Sequence, residues 1–137
     1  MTQLLSIETD PEFIRLSQCP DAVHWTMALS GAITYVSDSV RQVRGLSPQE
    51  AMAQSGGEIL TPESLAVSLG YFEELTVALQ SGQAPEHFRG RFEYLCADGS
   101  TVWCEVVAGI VVLPSGGISE MRGVSVPVTS SAETSDP

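Results

Sequence analysis

The chain has 137 residues, of which 43% are hydrophobic and 17% are charged, a composition typical of one globular domain. Its formal net charge is −11, from 17 acidic and 6 basic residues. Phosphate groups repel such a chain, so we expect no binding to nucleic acid or to anionic membranes. No apolar run reaches the roughly 20 residues that span a bilayer, and no basic segment precedes a short hydrophobic stretch. We therefore expect a cytoplasmic protein without membrane insertion.

The three cysteines, Cys19, Cys96 and Cys104, follow no metal-binding spacing. An odd number of cysteines argues against a disulfide framework and is typical of a reducing compartment. Cys96 and Cys104 fall on the same face of neighbouring predicted strands, where we expect buried structural thiols rather than a bridge. Only His24 and His87 could join them as zinc ligands, so we expect no metal site.

Three helix starts share one pattern: Asp10-Pro11, Ser47-Pro48 and Thr61-Pro62 each place a capping side chain before a proline at the first helical position. The segment after Pro62 predicts the longest helix, which Gly82 ends. Its apolar residues recur in steps of three and four, as on one face of an amphipathic helix. This stripe consists of Leu65, Leu69, Phe72, Leu75 and Leu79.

Five strands are predicted around the helices. Residues 23–29 and 32–36 form the first two, joined by a turn at Ser30-Gly31, and three longer strands follow the helices. The Asp98-Gly99 pair between two alternating segments is the strongest short-range signal of a hairpin. This segregation predicts an α+β domain with helices on one face of an antiparallel sheet. The three later strands span about residues 87–97, 101–113 and 117–127.

The fourth strand is apolar on both faces. Cys104 and Val106 point to one side, whereas Trp103 and Val107 point to the other. We expect the Cys104 side to face the helices and the Trp103 side to face away from them. A strand of this kind needs a cover on both sides.

Three basic residues, His87, Arg89 and Arg91, lie at the start of the third strand. They form either an anion site or ordinary cross-strand pairs, such as Arg91 with Glu105. His24 falls on the polar face of its strand, where we expect it to be solvated. We find no catalytic set and expect that the protein is not an enzyme.

The order of these elements, with these residues, resembles the PAS family of sensory domains over about residues 20–129. The resemblance implies a five-stranded antiparallel sheet of order 2-1-5-4-3, with helices packed on one face around an internal cavity and an additional N-terminal helix. The segments that carry it are residues 32–40 with Gly45, residues 59–64, residues 91–103 around Asp98-Gly99-Ser100, and residues 117–129.

The resemblance also implies a domain organisation. Residues 1–20 would form an N-terminal cap or dimerisation helix, residues 21–129 the sensor domain, and residues 130–137 a flexible tail or linker. Many members end in an Asp-Ile/Val-Thr triplet, which here reads Pro127-Val128-Thr129. Proline removes both the acidic side chain and a backbone donor, so a slack tether fits this end better than a rigid helical output.

The cofactors known in the family can be compared with this sequence. Light-sensing flavin members carry a reactive cysteine in an Asn-Cys-Arg-Phe-Leu-Gln motif, and Gly57 stands at that position here. Haem-binding members often use a histidine on the long helix, and residues 62–81 contain none. We therefore expect neither a flavin mononucleotide (FMN) photoadduct nor helix-histidine haem. Flavin adenine dinucleotide (FAD) stays open, and the cofactor is unknown.

Six side chains on the predicted inner surface are candidates for lining a small-molecule pocket. Tyr94, Cys104 and Ser125 stand where the flavin-contacting residues of the light-sensing members fall. The alternative is that large side chains fill the space. A buried phenol such as that of Tyr94 needs a hydrogen-bond partner, which a ligand could supply. The six candidates are Met27, Leu60, Phe72, Tyr94, Cys104 and Ser125.

The outer face of the sheet also needs a cover, because a large apolar patch is unusual on a monomer. The N-terminal segment, which includes Leu4 and Leu5, is one cover, and a second copy of the domain is the other. We predict a homodimer that uses both this face and residues 4–16. Its interface candidates are Phe13, Ile14, Leu16, Trp103, Val107 and Val124.

We expect a sensory or regulatory domain of a bacterial-type signalling protein, with a histidine kinase or diguanylate cyclase as effector domain beyond residue 137. It would bind a small molecule or relay a signal by rearranging the dimer. The alternative is an interaction or dimerisation module with a packed interior and no ligand. A small enzyme is disfavoured, because no Asp, Glu or His falls on the predicted inner face of the last three strands.

Overall fold

The computed structural model describes residues 6–83, 85–115 and 117–128. Its centre is one antiparallel sheet with the strand order β2-β1-β5-β4-β3. This order and the helices on one face confirm the predicted α+β architecture. The strands are β1 (Val23–Met27), β2 (Ile33–Val36), β3 (Phe88–Leu95), β4 (Thr101–Val112) and β5 (Ile118–Pro127).

The helices are short except for one. Three of them begin at the prolines that the sequence identified, and two others, at residues 40–44 and 56–59, had no such signal. Among the described residues, no helix has the length and apolar character required to cross a membrane. The helices are α1 (Pro11–Ser17), α2 (Val40–Arg44), α3 (Pro48–Met52), α4 (Gly56–Ile59) and α5 (Pro62–Gln80).

The predicted caps hold at two of the three proline starts. Asp10 accepts hydrogen bonds from the backbone of Glu12 and Phe13, and Ser47 forms a capping box with Glu50. Thr61 does not cap α5, and its hydroxyl is buried without a partner in the described part of the chain. The sequence therefore located the start of α5 correctly but assigned its cap wrongly.

The stripe along α5 is only partly buried. Leu75 is 3% exposed and packs against the sheet with Ile110 and Met121, whereas Leu69 is 60% exposed. Leu69 nevertheless lies on the predicted face, because it lines a cavity together with Leu65 and Phe72. The stripe is therefore oriented as predicted, but the space beneath the middle of α5 is not filled.

The orientation of β4 is the one expected. Cys104 is 1% exposed and faces the helical layer with Leu60 and Phe92, whereas Trp103 is 40% exposed on the other side. Both Cys104 and the half-buried Cys96 are free thiols.

The N-terminal segment of the same chain covers the outer face of the sheet. A 3-10 turn at Ile7–Thr9 and helix α1 lie against β4 and β5. Their apolar residues form a closed cluster with the strands, so this face already has a cover without a second copy. The cluster contains Ile7, Phe13, Leu16, Ala22, Val107, Val111 and Val124. Leu4 and Leu5 lie outside the described residues.

A buried carboxylate attaches this segment to the sheet. Asp10 is 5% exposed, and its Oδ2 accepts hydrogen bonds from Arg89 and from Nδ1 of His87, the latter at 2.9 Å. Burial alone would raise the pKa of Asp10, but the hydrogen bonds from Arg89, His87 and the backbone of Phe13 outweigh it and hold the pKa well below its usual range.

The contact with Asp10 decides between the two interpretations of the basic residues His87, Arg89 and Arg91. Asp10 of the same chain supplies the negative charge next to His87 and Arg89, so the open anion site considered from the sequence is wrong there. Arg91 lies directly opposite Glu105 in the β3–β4 register, as the cross-strand alternative required.

We predict that Asp10→Asn lowers the free energy of unfolding by about 2 kcal/mol, because asparagine keeps a capping oxygen but loses the charge that Arg89 and His87 surround. Urea unfolding followed by circular dichroism measures the difference. Glu12→Gln, which removes an exposed partner of Arg15 on the same helix, is the matched control and should leave the midpoint nearly unchanged.

The same comparison has a defined pH dependence. A folded-state pKa below the unfolded value means that the ionised Asp10 stabilises the protein fully above about pH 4, the ordinary range of an aspartate. The difference in the free energy of unfolding between wild type and Asp10→Asn should therefore decrease as the pH falls below that value. A gap that stays constant in acid would contradict the ionic role of Asp10.

Candidate functional site

A cavity of about 360 Å³ lies between the inner face of the sheet and the helical layer. This volume is at the lower end of the range of small-molecule sites. Its walls are mostly apolar and come from all five strands and from four of the helices. All six pocket candidates line it: Met27, Leu60, Phe72, Tyr94, Cys104 and Ser125.

Three polar side chains form a hydrogen-bonded chain in the cavity wall. Ser125 is 3% exposed, and its Oγ accepts a hydrogen bond of 3.0 Å from Nε1 of Trp25. The same Oγ lies 2.8 Å from the hydroxyl of Tyr94. Burial raises the pKa of Tyr94 far above its usual value, so the phenol stays neutral. Each polar atom of the trio thus has a partner within it, and one hydroxyl hydrogen, of Ser125 or of Tyr94, is left to donate elsewhere.

Trp25 was not among the sequence candidates, although its alternation with Val23 and Met27 on β1 was visible. A glycine makes its position possible. Gly123 lies opposite Trp25 in the β1–β5 register, and a Cβ atom at Gly123 would come within 2.2 Å of the indole ring. The ring therefore lies flat over β5 and reaches Ser125 two residues further along.

The thiol in the cavity wall, that of Cys104, is unreactive. Cys104 is almost completely buried, and this burial raises its pKa to about 12. A thiol with so high a pKa is protonated at physiological pH, and the thiolate is the reactive form. Cys104 therefore serves as an apolar wall group.

Arg44 is the charged residue that the sequence analysis missed. It is 6% exposed, lines the cavity and lies with its guanidinium carbon 5.8 Å from the centre of the Tyr94 ring. Its Nε donates to the carbonyl of Leu95 at 2.8 Å and its Nη2 to Oε1 of Gln54 at 2.7 Å. The missed signal is the four-residue step from Val40, which places both residues on one face of a helix.

Helix α5 bridges the cavity between two points of attachment. At its start, Oγ of Ser64 accepts a hydrogen bond of 2.8 Å from the backbone of Glu93. Further along, Leu75 packs on the sheet, and these two residues are the buried ones on the whole helix. Leu69 and Phe72 lie between them and line the cavity. This part of α5 therefore has space beneath it.

The residues present do not fit a flavin photoadduct or a haem held by this helix. Gly57, at the position of the reactive cysteine in the resemblance, is exposed on α4. Helix α5 contains no histidine, and Tyr94 and Ser125 are hydrogen-bonded to each other. Among the described residues, no group of three potential metal ligands occurs.

The dimer candidates fall into two groups. Ile14 and Trp103 are 45% and 40% exposed. The other four are buried within the chain by the N-terminal segment, so they are not surface residues that a second copy could contact directly. These four are Phe13, Leu16, Val107 and Val124.

Comparison with known proteins identifies the family. The model of the PAS fold matches residues 16–121, which is most of the chain and includes every strand except the last part of β5. The chain belongs to the PAS family. No curated protein matches it.

Solved structures show the same fold. The PAS domain of a protein from Colwellia psychrerythraea superposes with a TM-score of 0.61 at 16% identity, covering 80% of this chain and 87% of that one. A sensory box histidine kinase/response regulator from Burkholderia thailandensis E264 gives 0.60 at 17%, covering 85% and 83%. A light-oxygen-voltage domain studied with a flavin analogue gives 0.60 at 16%, covering 93% of each chain. At these identities the likeness is one of fold alone.

We predict that Ser125→Ala destabilises the protein more than Tyr94→Phe does. Tyr94→Phe removes one hydrogen bond and should cost about 1 kcal/mol. Ser125→Ala leaves the indole N–H of Trp25 and the phenol of Tyr94 without their common partner, and should cost about 2–3 kcal/mol. Urea unfolding of both variants measures the order, and the reverse order would contradict the shared role of Ser125.

Proposed function

We propose that this chain is a sensory domain that binds a small molecule in its internal cavity and transmits the event to an effector. The observation that supports it is the cavity itself, of about 360 Å³ with mostly apolar walls. A dedicated interaction module with a packed interior has no need of such a space. The structural neighbour from Burkholderia thailandensis is a sensory box histidine kinase/response regulator, and this likeness in fold supports a signalling context.

The geometry of α5 suggests how a ligand would act. Leu69 and Phe72 face the cavity from the helix, and Met27 faces it from β1. A ligand that contacts both sides favours whichever arrangement of α5 gives it more contacts, and it shifts the population only by that difference in affinity. The sensed change is then a movement of α5 relative to the sheet.

In this proposal, the signal passes to the effector domain from the end of β5. Pro127 lies opposite Cys104 of β4 in the register, so the last strand passes the cavity just before the chain exits. We propose that residues 130–137, which lie outside the described residues, are a linker to an effector such as a histidine kinase or diguanylate cyclase. The sensor domain is residues 21–129, with residues 1–20 as its cap.

No catalytic role is proposed for the domain. The described residues that line the cavity include no aspartate, glutamate or histidine, and its thiol is protonated. FAD stays possible as a ligand only if it binds without a covalent bond to the protein. A cytoplasmic location remains our expectation.

We also propose that the domain forms a homodimer through the exposed residues of α1 and of the outer face of the sheet. Ile14 on α1 and Trp103 on β4 are large apolar side chains that remain half exposed after the segment has covered the sheet. Aromatic and aliphatic side chains of this kind are typical anchors of interfaces.

We predict that filling the cavity abolishes ligand binding. Met27→Trp adds volume inside the cavity, whereas Leu29→Trp, close by on the chain but 41% exposed and outside the cavity lining, is the matched control. Native mass spectrometry of protein purified from cells should show a bound molecule in the wild type and in Leu29→Trp, but not in Met27→Trp.

Binding at this site predicts a second result. A compound that binds the folded state raises the unfolding temperature, and the rise grows with the logarithm of its concentration once that concentration exceeds Kd. Wild-type protein that has no bound molecule and gains no stability from a library of small apolar compounds would contradict the proposal and favour the packed interaction module.

We predict that Trp103→Glu lowers the molar mass measured by light scattering from that of a dimer to that of a monomer, because a charge in an apolar interface is left without a partner. Leu113→Glu is the control, because Leu113 is also a large exposed apolar residue (43%) on the same β4–β5 hairpin. This variant should not change the mass. A monomeric wild type would overturn the homodimer.

A further inference from the structure

We propose that the ligand of this domain is a small organic anion with an apolar body and one carboxylate, and that Arg44 is its counter-ion. The inference deepens the ligand-binding function proposed above and rests on it. It follows from the distribution of charge around the cavity and from the hydrogen bonds of Arg44.

The charge of the cavity is opposite to that of the protein. The chain has 17 acidic residues and a net charge of −11, yet no acidic side chain is among the described residues that line the cavity. Arg44 is the charged residue in that lining. An anion that is repelled by the protein surface as a whole therefore finds a positive charge inside.

Asp10 and Arg44 are both charged and buried, but they differ in the charge of their hydrogen-bond partners. Asp10 is 5% exposed and has two basic partners, Arg89 and His87. Arg44 is 6% exposed, but both of its acceptors, the Leu95 carbonyl and the Gln54 amide, are neutral. No acidic side chain in the described ranges lies within ion-pair distance of it.

Buried charges in proteins are normally paired, because an uncompensated ion loses its hydration without a replacement. Burial accordingly lowers the pKa of Arg44. Among the described residues, the hydrogen bonds of the Arg44 guanidinium come from Nε and Nη2 and none comes from Nη1. Guanidinium N–H groups bind carboxylate oxygens strongly. A carboxylate at Nη1 would supply the missing charge.

The rest of the cavity determines the body of the ligand. The polar groups of Trp25, Tyr94 and Ser125 are already bonded to one another, and most other wall groups are apolar. A ligand with many hydroxyl or amide groups, such as a sugar, would leave them unpaired at a substantial cost. An apolar body with one anionic end satisfies both parts of the site.

A purely structural role for Arg44 is the competing explanation. The residue joins α2 to the end of β3, through its side chain to Leu95 and through its carbonyl, which accepts from the backbone of Ala97. A structural tie of this kind predicts no preference for anions. Ligand selectivity therefore separates the two roles, whereas stability alone does not.

The test uses two matched pairs of probes that differ only in the end group: octanoate with octanol, and phenylacetate with phenylethanol. Titrations near neutral pH, followed by NMR chemical shifts of the full chain, give the four affinities. We expect the carboxylate of at least one pair to bind wild type about tenfold more tightly than its alcohol, as a charge-assisted hydrogen bond would provide.

Three variants assign the preference to one residue. Arg44→Met should remove it, and Arg44→Lys should retain part of it by keeping the charge. Arg41→Met is the matched control, because Arg41 lies on the same helix with 54% of its side chain exposed, and it should bind like wild type. Should Arg44→Met fail to fold, the wild-type selectivity and the Arg44→Lys variant still decide the question.

The outcomes separate this inference from the proposed function. Equal affinity for acid and alcohol, or a preference that survives Arg44→Met, overturns the anion assignment and leaves the ligand-binding function intact. Failure of all four probes to bind wild type also overturns the anion assignment, whereas the ligand-binding function is overturned only if the wild type in addition holds no molecule in native mass spectrometry and gains no stability from the compound library.

Discussion

Strand β4 is apolar on both faces, and this constraint organises the protein. One face bears Cys104 and Val106 and needs the helical layer, and the other bears Val107 and Val111 and needs the N-terminal segment. Burial of apolar area stabilises both arrangements in proportion to the area removed from water. The two covers differ in quality. The outer one closes over a continuous cluster, whereas the inner one leaves a cavity. The outer side is thus the more completely packed one, and the space left on the inner side is where we propose that a ligand binds.

Much of the fold was readable in the sequence because local rules determine it. Proline after a capping residue located three helix starts, Asp98-Gly99 located the β3–β4 hairpin, and alternation assigned the faces of β4. The strand order came from the resemblance to the PAS family, since periodicity alone does not specify which strands pair. Four of the six pocket candidates, Met27, Tyr94, Cys104 and Ser125, lie on strands and followed from the same alternation combined with that topology, whereas Leu60 and Phe72 lie outside the strands.

The remaining features depend on contacts between distant parts of the chain. Asp10 and His87 are 77 residues apart, and no local pattern pairs them; Asp10 had been recognised only as a cap. Arg44 lies on a helix of five residues that had no start signal, and arginine is seldom buried. The exposure of Leu69 had no signature either, because periodicity identifies a face of a helix but not whether the space beneath it is filled. The ionic partners of Asp10 and the neutral partners of Arg44 became visible only from the geometry.

The small share of α5 that is buried has a consequence for the motions of the domain. A segment opens locally with a free energy that reflects the apolar contacts it loses, and this value ranges from near zero to the full stability of the protein. With only Ser64 and Leu75 buried along nineteen residues, α5 belongs to the least protected class, whereas the amides of β4 and β5 report global unfolding. In a hydrogen-exchange experiment, the backbone amides of the sheet would then exchange slowly and those of α5 rapidly. A molecule bound beneath that helix would register first as slower exchange along it.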